Sequence, residues 1–396
     1  MSRASVEEYA AAVRPRYLAS GKAGKKRMLD EFCATTGYHR KAAIRLLRRP
    51  LGPPPTGRRG APRRYGPHVV DALVVAWEAA GRIGSKRLAP FLAELVPVLE
   101  RHGELRLADD VRTGVLSLGA STIDRLLRPY RRIPKRRVGG HPATLAHIRR
   151  QVPIRTSGEW KGAELGCVQA DLVEHCGEDA SGFFLYTLTM VDVVTSWTVC
   201  RPVWSKHMDR VRAAVHRIRT ELPMELKHLH TDNGSEFVNE QLAAYCRKAG
   251  IPFTRGRPYR KNDQAFVEQR NWSAVRQAVG YVRYSSKEAY ALLEQLYEYQ
   301  RLYHNFFQPV RKLVSRERVG SRVVKRYDQP ATPYQRLLAT GRLDTASARK
   351  LDRLYQALNP AKLHLWIEHT TRELWEQREL PRTARAYNAA AQPSVG

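Results

Sequence analysis

Three β runs follow one another within residues 165–204, and the first carries an aspartate where an apolar side chain belongs. LGCVQADLVEH (Leu165–His175), FFLYTLTMVDVVT (Phe183–Thr195) and WTVCRPVW (Trp197–Trp204) are rich in β-branched and aromatic residues. They lie close enough together to form an antiparallel meander. Helices and strands then alternate. Asp209–Leu222 reads as helix, Leu226–Asp232 as a short strand, Glu240–Ala249 as helix and Ile251–Gly256 as a strand. A long helix from about Asp263 to Val279, stopped by Gly280, closes the series. This order predicts an α/β core, a mixed sheet flanked by helices.

Three carboxylates stand out in that core. Asp171 interrupts the first run, Asp232 ends the short strand ahead of Asn233-Gly234, and Glu268 sits on the first turns of the long helix. Residues 233 to 267 separate Asp232 from Glu268, a spacing of 35. A carboxylate inside a β run is costly without a partner or a metal, and three brought together repel. Hard divalent cations with oxygen ligands relieve that repulsion and leave positions for phosphate oxygens. Two such ions can activate the attacking oxygen and stabilise the leaving oxygen of a phosphodiester.

Neighbouring residues receive lesser roles. Gly234 is expected to supply a positive φ, and Asn233 to position that loop. Glu236 is the nearest rival carboxylate, Asp192 in the second run a supporting group, and Glu174 a sheet-edge charge. His230 reads as structural. His175-Cys176 has no partner pair at zinc spacing, so zinc is not expected. Asn262 is a natural N-cap for the long helix, with Gln264 and Asn271 flanking the face of Glu268. Arg260 and Lys261 before it either touch DNA phosphate or stay solvated, and Trp272 reads as core.

Charge is distributed unevenly. The net is +30 over 396 residues. Residues 1–150 hold 31 Lys and Arg against 12 Asp and Glu, residues 151–280 hold 17 against 15, and residues 281–396 hold 20 against 11. A nearly neutral centre between basic flanks suggests an enzyme acting on nucleic acid with separate gripping modules; a generically basic, ribosome-associated factor is the plainer alternative.

The flanks read as helical. Arg27–Thr36 places Met28, Leu29, Phe32 and Cys33 at helical spacing, Gly37 allows a tight turn, and Tyr38–Arg49 resumes with Ala43, Leu46 and Leu47 on one face. Arg40, Lys41, Arg45, Arg48 and Arg49 line the other face. Helix, glycine turn and basic helix is a helix-turn-helix layout, with a solvated hairpin as the alternative. The Pro/Gly-rich stretch that follows holds the pairs Arg58-Arg59 and Arg63-Arg64, which either follow a DNA groove or remain solvated. His68–Ala80, Ser85–Arg101 and Thr122–Arg128, the last capped by Ser121 and bearing Arg125 and Arg128, make a second helix-turn-helix candidate. Arg131, Arg132, Lys135, Arg136 and Arg137 surround Pro134 as an extended basic arm. Beyond the core, Lys287–Phe306, Thr332–Ala339, Thr345–Leu358 and Ala361–Glu376 read as helices.

The stretches QADLVEHCG, LHTDNGSEF and RPYRKNDQAFVEQRN resemble the catalytic motifs of DDE integrases and transposases of the retroviral-integrase type, in particular bacterial insertion-sequence transposases. The resemblance covers about Glu159 to Tyr284 and implies a ribonuclease-H-like core, which the element order matches. It places the catalytic, metal-binding triad at Asp171, Asp232 and Glu268, with Mg²⁺ or Mn²⁺, two per active site. The histidine-cysteine zinc module of retroviral integrases is missing from the N-terminal sequence, which points to the bacterial branch.

The expected organisation is a helix-turn-helix module (1–50), a Pro/Gly/Arg linker (51–66), a second helical DNA-binding module (67–132), a basic linker (133–156), the integrase-like catalytic domain (157–284) and a mainly α C-terminal region (285–396). The implied activity is binding of double-stranded DNA at terminal inverted repeats, hydrolysis to free a 3′-hydroxyl, and transesterification into target DNA. Pairing two ends implies a homo-oligomer, at least a dimer on DNA. A non-catalytic, transposase-derived regulator and another ribonuclease-H-like nuclease are the rivals. No run of about 18 apolar residues suggests a membrane span. MSRASVEEYA carries no apolar stretch typical of a secretory signal. The five cysteines show no CxxC, so a cytoplasmic, nucleoid-associated bacterial protein is expected.

Overall fold

The structure, a computed structural model, describes residues 1–49, 64–131, 162–257 and 264–379. Its contacts divide the chain into two compact units, Met1–Arg64 and Tyr65–Gly396.

The described residues of the first unit form three helices, α1 (Arg3–Ala19), α2 (Lys22–Thr36) and α3 (Arg40–Arg48). Val6, Ala10, Val13 and Tyr17 of α1 recur at helical spacing and pack on Leu29, Phe32, Ala43 and Leu47. The α2–α3 turn depends on Gly37, whose φ of 73° is left-handed and whose N–H bonds to Cys33 O at 2.9 Å.

In the second unit, α4 (Pro67–Ala79), α5 (Ser85–Arg101), α6 (Asp109–Leu116) and α7 (Ala120–Leu127) precede the sheet. Gly119 is the N-cap of α7 and offers no side chain, so Ser121 lies inside the helix rather than capping it. The sheet strands are β1 (Cys167–Glu174), β2 (Tyr186–Asp192), β3 (Thr198–Val203), β4 (His228–Thr231) and β5 (Phe253–Arg255). Their spatial order is β3-β2-β1-β4-β5. Strands β1, β2 and β3 pair antiparallel, whereas β4 joins β1 in parallel and β5 joins β4 in parallel. This is the mixed ribonuclease-H-like sheet that the sequence predicts.

Helices α8 (Met208–Glu221) and α9 (Glu240–Lys248) are interleaved with β4 and β5. After β5 comes α10 (Ala265–Arg270), continued by a π-helical turn (Asn271–Arg276) and by α11 (Gln277–Val279). Then follow α12 (Lys287–Phe307), strands β6 (Leu313–Val319) and β7 (Arg322–Tyr327), and α13 (Pro333–Ala339), α14 (Thr345–Ala357) and α15 (Pro360–Glu376). The mainly helical C-terminal region is therefore interrupted by an antiparallel hairpin that the sequence reading did not anticipate.

Alternation along β1 decides what each face meets. Val168 and Ala170 share a core with Val211, Val215 and Ile218 of α8. Val173, on the other face, packs with Ala274, Val275 and Val279 of the α10–α11 segment and with Leu293, Leu296 and Tyr297 of α12. Asp171, with the same parity as Val173, is thereby turned toward the Glu268 helix.

Helices α4–α7 share the larger core with the C-terminal helices and the sheet. Tyr303 Oη donates to Ala79 O at 2.8 Å, Gln308 Nε2 to Ala80 O at 2.7 Å, and Asn359 Nδ2 to Glu104 Oε1 at 2.7 Å. The expected boundaries after residues 132 and 284 thus fall within one packed unit.

Candidate active site

The register of β1 on β4 sets the site. Gln169 pairs with His230. Two residues further along each parallel strand, Asp171 and Asp232 come level at the sheet's carboxyl end, on neighbouring strands roughly 4.8 Å apart. Asp232 follows immediately after β4, and its Oδ1 accepts from Gly234 N at 2.9 Å, closing the turn.

Glu268 arrives on α10, which is fastened to β1 on both sides of that residue. Val267 N donates to Gln169 Oε1 at 3.2 Å, and Asn271 Nδ2 donates to Asp171 Oδ2 at 2.6 Å. The π-helical turn begins at Asn271. Such turns widen a helix locally and cluster at functional positions.

Asp171 is crowded by protein yet partly open to solvent, and Glu268 is exposed. Burial pushes the Asp171 carboxyl up to about 6, and the carboxylates of Glu268 and Glu236 push the same way against hydrogen bonds from Leu172 N and Asn271. The Glu236 carboxyl is also raised, first by burial and then by Asp232, with Lys206 opposing. Glu236 is thus coupled electrostatically to both aspartates.

Among the described residues, no three His, Cys, Asp or Glu side chains converge closely enough to hold an ion unaided. The donor chemistry nonetheless fits a hard divalent cation. The groups are oxygens, they repel one another, and buried Asn271 Oδ1 has no hydrogen-bond partner among the described residues. Mg²⁺ in particular takes one or two carboxylates and completes its shell with water and substrate phosphate.

Gly234 and Trp272 depart from their expected roles. Gly234 does not adopt a positive φ; a Cβ there would strike the Glu236 carboxylate, so the glycine leaves room for that side chain. Asn233 bridges the loop to the neighbouring strand, donating to Gly256 O at 2.7 Å and accepting from Arg255. Asp192 supports a turn: its carboxylate accepts from Thr195 N at 2.7 Å, Thr195 Oγ1 at 2.6 Å and Gly166 N at 3.0 Å. His230 is buried against Thr254 Oγ1 at 2.9 Å. His175 Nε2 meets Thr187 Oγ1 at 2.7 Å, and burial pushes its pKa down to about 3. Trp272 is not core: half of its surface is exposed, because it lies one turn beyond Glu268 on the same outward face.

The expected DNA-contact residues divide by location. On α3, Arg40, Lys41 and Arg45 are exposed, and Arg40 pairs with Asp30. Arg64 is exposed. Arg125 and Arg128 are exposed on and after α7, and Arg131 pairs with Asp124 at 2.5 Å. Arg58, Arg59, Arg63, Arg132, Lys135, Arg136, Arg137, Arg260, Lys261 and Asn262 lie outside the described residues.

Comparison with known proteins adds three findings. Residues 163–261 match the family model of the integrase core domain. The "Uncharacterized protein y4rM" of Sinorhizobium fredii is 46% identical over 340 residues, covering 85% of this chain and 96% of that protein. Among solved structures, the catalytic core domain of BIV integrase is 16% identical with a TM-score of 0.29, covering 44% of this chain and 95% of that one. The HTLV-2 integrase catalytic core domain in complex with magnesium is 15% identical with a TM-score of 0.24, covering 28% and 68%.

Proposed function

We propose that this chain, which belongs to the family of the S. fredii protein and to the ribonuclease-H-like integrase and transposase superfamily, is a DNA transposase. It binds the terminal inverted repeats of its own element, cleaves a phosphodiester there to free a 3′-hydroxyl, and joins that end to target DNA. The observation that carries this reading is the levelling of Asp171 with Asp232 on adjacent parallel strands, with the Glu268 helix hung on the same strand as Asp171.

Asp171, Asp232 and Glu268 would hold Mg²⁺ or Mn²⁺, two per site. Such ions, when bound, lower the barrier to in-line attack on phosphorus by charge stabilisation at the attacking and leaving oxygens. The chain's own residues supply the placement. Asn271 fixes the Asp171 carboxylate, and Gln169 sets the height of the helix. The exposure of Glu268 and Trp272 leaves the site open at its rim, as a duplex substrate requires. No side chain here is asked to act as covalent nucleophile; the released 3′-hydroxyl attacks directly. Each synapsed end needs its own site, so the active form is at least a dimer on DNA.

The test is cleavage and joining by the full chain on labelled duplexes from either side of its coding sequence, with Mg²⁺ and with EDTA. Joined products with Mg²⁺ alone support the proposal. Cleavage without joining indicates a nuclease of another kind, and binding without either indicates a regulator.

A further inference from the structure

Beyond the active site, the strongest unassigned feature is the hairpin of β6 and β7. Its strands run Leu313–Val319 and Arg322–Tyr327, and every residue of β7 is exposed. Val314 is 70% exposed, Val319 62%, Val323 45% and Val324 40%. A two-stranded ribbon exposed on both faces is marginal in water, and an open, apolar edge invites pairing. Such an element is stable as a functional part when something else covers it.

Its charge says what. Arg316, Arg318, Arg322, Lys325 and Arg326 stand against one carboxylate, Glu317. Among the described residues, Arg318, Arg322, Lys325 and Arg326 form no ion pair; Arg318 reaches only its own turn, donating to Gly320 O at 3.3 Å. Elsewhere in the same unit, arginines such as Arg201, Arg217 and Arg301 are matched to glutamates. A second copy of so cationic a ribbon would be repelled, whereas a polyanion would not.

The ribbon is also firmly mounted. Lys312 Nζ donates to Val193 O at 2.6 Å and to Val194 O, beside the turn that Asp192 organises. Lys312 N donates to Asp328 Oδ1 at 2.7 Å, and Asp328 pairs with Arg336 of α13 at 2.7 Å. Arg311, its guanidinium 4.8 Å from the Tyr327 ring centre, lines a cavity of about 700 Å³ with Arg82, Lys86, Arg87 and Arg131. Arg131 and Arg82 are matched by Asp124 and Glu78, so it is the cations of Arg311, Lys86 and Arg87 that continue from the ribbon into this cleft.

We infer that the hairpin is a duplex-DNA-binding ribbon, lying along a groove with its cations on the phosphates. Six residues at about 3.3 Å each make an arm roughly 20 Å long, and a B-DNA major groove about 12 Å wide admits a two-stranded ribbon. The contacts are to the backbone, so the arm adds affinity without choosing sequence. This rests on the reading that the chain acts on DNA.

The test is anisotropy titration of the full chain in EDTA against flanking-sequence and scrambled duplexes over a range of salt. The quadruple variant Arg318→Ala/Arg322→Ala/Lys325→Ala/Arg326→Ala should bind both duplexes at least about tenfold more weakly. Its slope of log affinity against log salt should be shallower by about 3–4. Glu317→Lys, an exposed change without folding risk, should bind both more tightly with a slope steeper by about one. Wild-type affinity and slope in both variants would overturn the inference. So would a change in oligomeric state with DNA affinity untouched, which would make the hairpin a contact between copies. A wild-type chain that binds neither duplex would refute the transposase reading as well, which separates the two failures.

Discussion

Asp171 and Glu298 are both partly buried carboxylates of the same unit, and they are treated in opposite ways. Glu298 on α12 receives Arg201, at 2.8 Å, and Arg301. Burial alone would raise its pKa, but hydrogen bonds from Arg301 and Arg201 hold it down at about 2. Arg201 also reaches Glu221 at 2.7 Å, so three elements, β3, α8 and α12, are tied by a neutralised network. Asp171 faces Glu268 and Glu236, and its carboxyl stands at about 6. The fold can neutralise a crowded carboxylate where it needs to. On the proposed function, the sheet's carboxyl end is left acidic so that its charge is met from outside.

The largest expected effect breaks the acidic side. Asp171→Asn, Asp232→Asn or Glu268→Gln should each abolish cleavage and joining, measured on labelled duplexes, while DNA binding in EDTA is unchanged. Asp171→Asn should also unfold no earlier than wild type in EDTA, because it removes a repelled charge; a clear loss of stability would mean that the carboxylate is structural.

The neutral side responds differently. Arg201→Met should destabilise by about 2–3 kcal/mol in denaturant unfolding, less than the roughly 3–5 kcal/mol of a fully buried pair because Glu298 is partly exposed. Asn271→Ala should cost about 1–3 kcal/mol, for it removes the side-chain donor to Asp171 Oδ2 and leaves that carboxylate the bond from Leu172 N. It should lower activity far more than stability, whereas Arg201→Met should do the reverse. The smallest effect is one of pH. A depressed carboxylate stabilises the fold above its unfolded value, near 4.3, and that stability is lost as pH falls toward about 2. The gap between wild type and Glu298→Gln in melting temperature should therefore shrink between those limits, and a gap constant with pH would contradict the pairing.

Much of this was legible in the sequence for physical reasons. The three strands and the helix–strand alternation carry periods that the observed elements match closely, and the spacing of Asp232 to Glu268 needed no structure to be seen. Helix α1 was not read because Pro15 interrupts its pattern, although Val6, Ala10, Val13 and Tyr17 hold the phase. The hairpin was missed because its charges mask the alternation of a strand. The size and apolarity of Trp272 suit a core, but its phase, four residues after Glu268, places it outside. Gly234 shows a limit of turn rules, since its lack of a side chain answers to Glu236, two residues away, and not to its own backbone. The hydrogen bond from Asn271 to Asp171 depends on strand parity and helix height together, which only the folded chain supplies.

The central claim is that the acidic end of the sheet is completed by a divalent cation. Calorimetric titration of Mn²⁺ into the full chain tests it most directly, with Asp171→Asn and Glu298→Gln alongside. Saturable binding to wild type and to Glu298→Gln, lost in Asp171→Asn, is the predicted result. Equal binding by Asp171→Asn and wild type, or none by wild type, would contradict it.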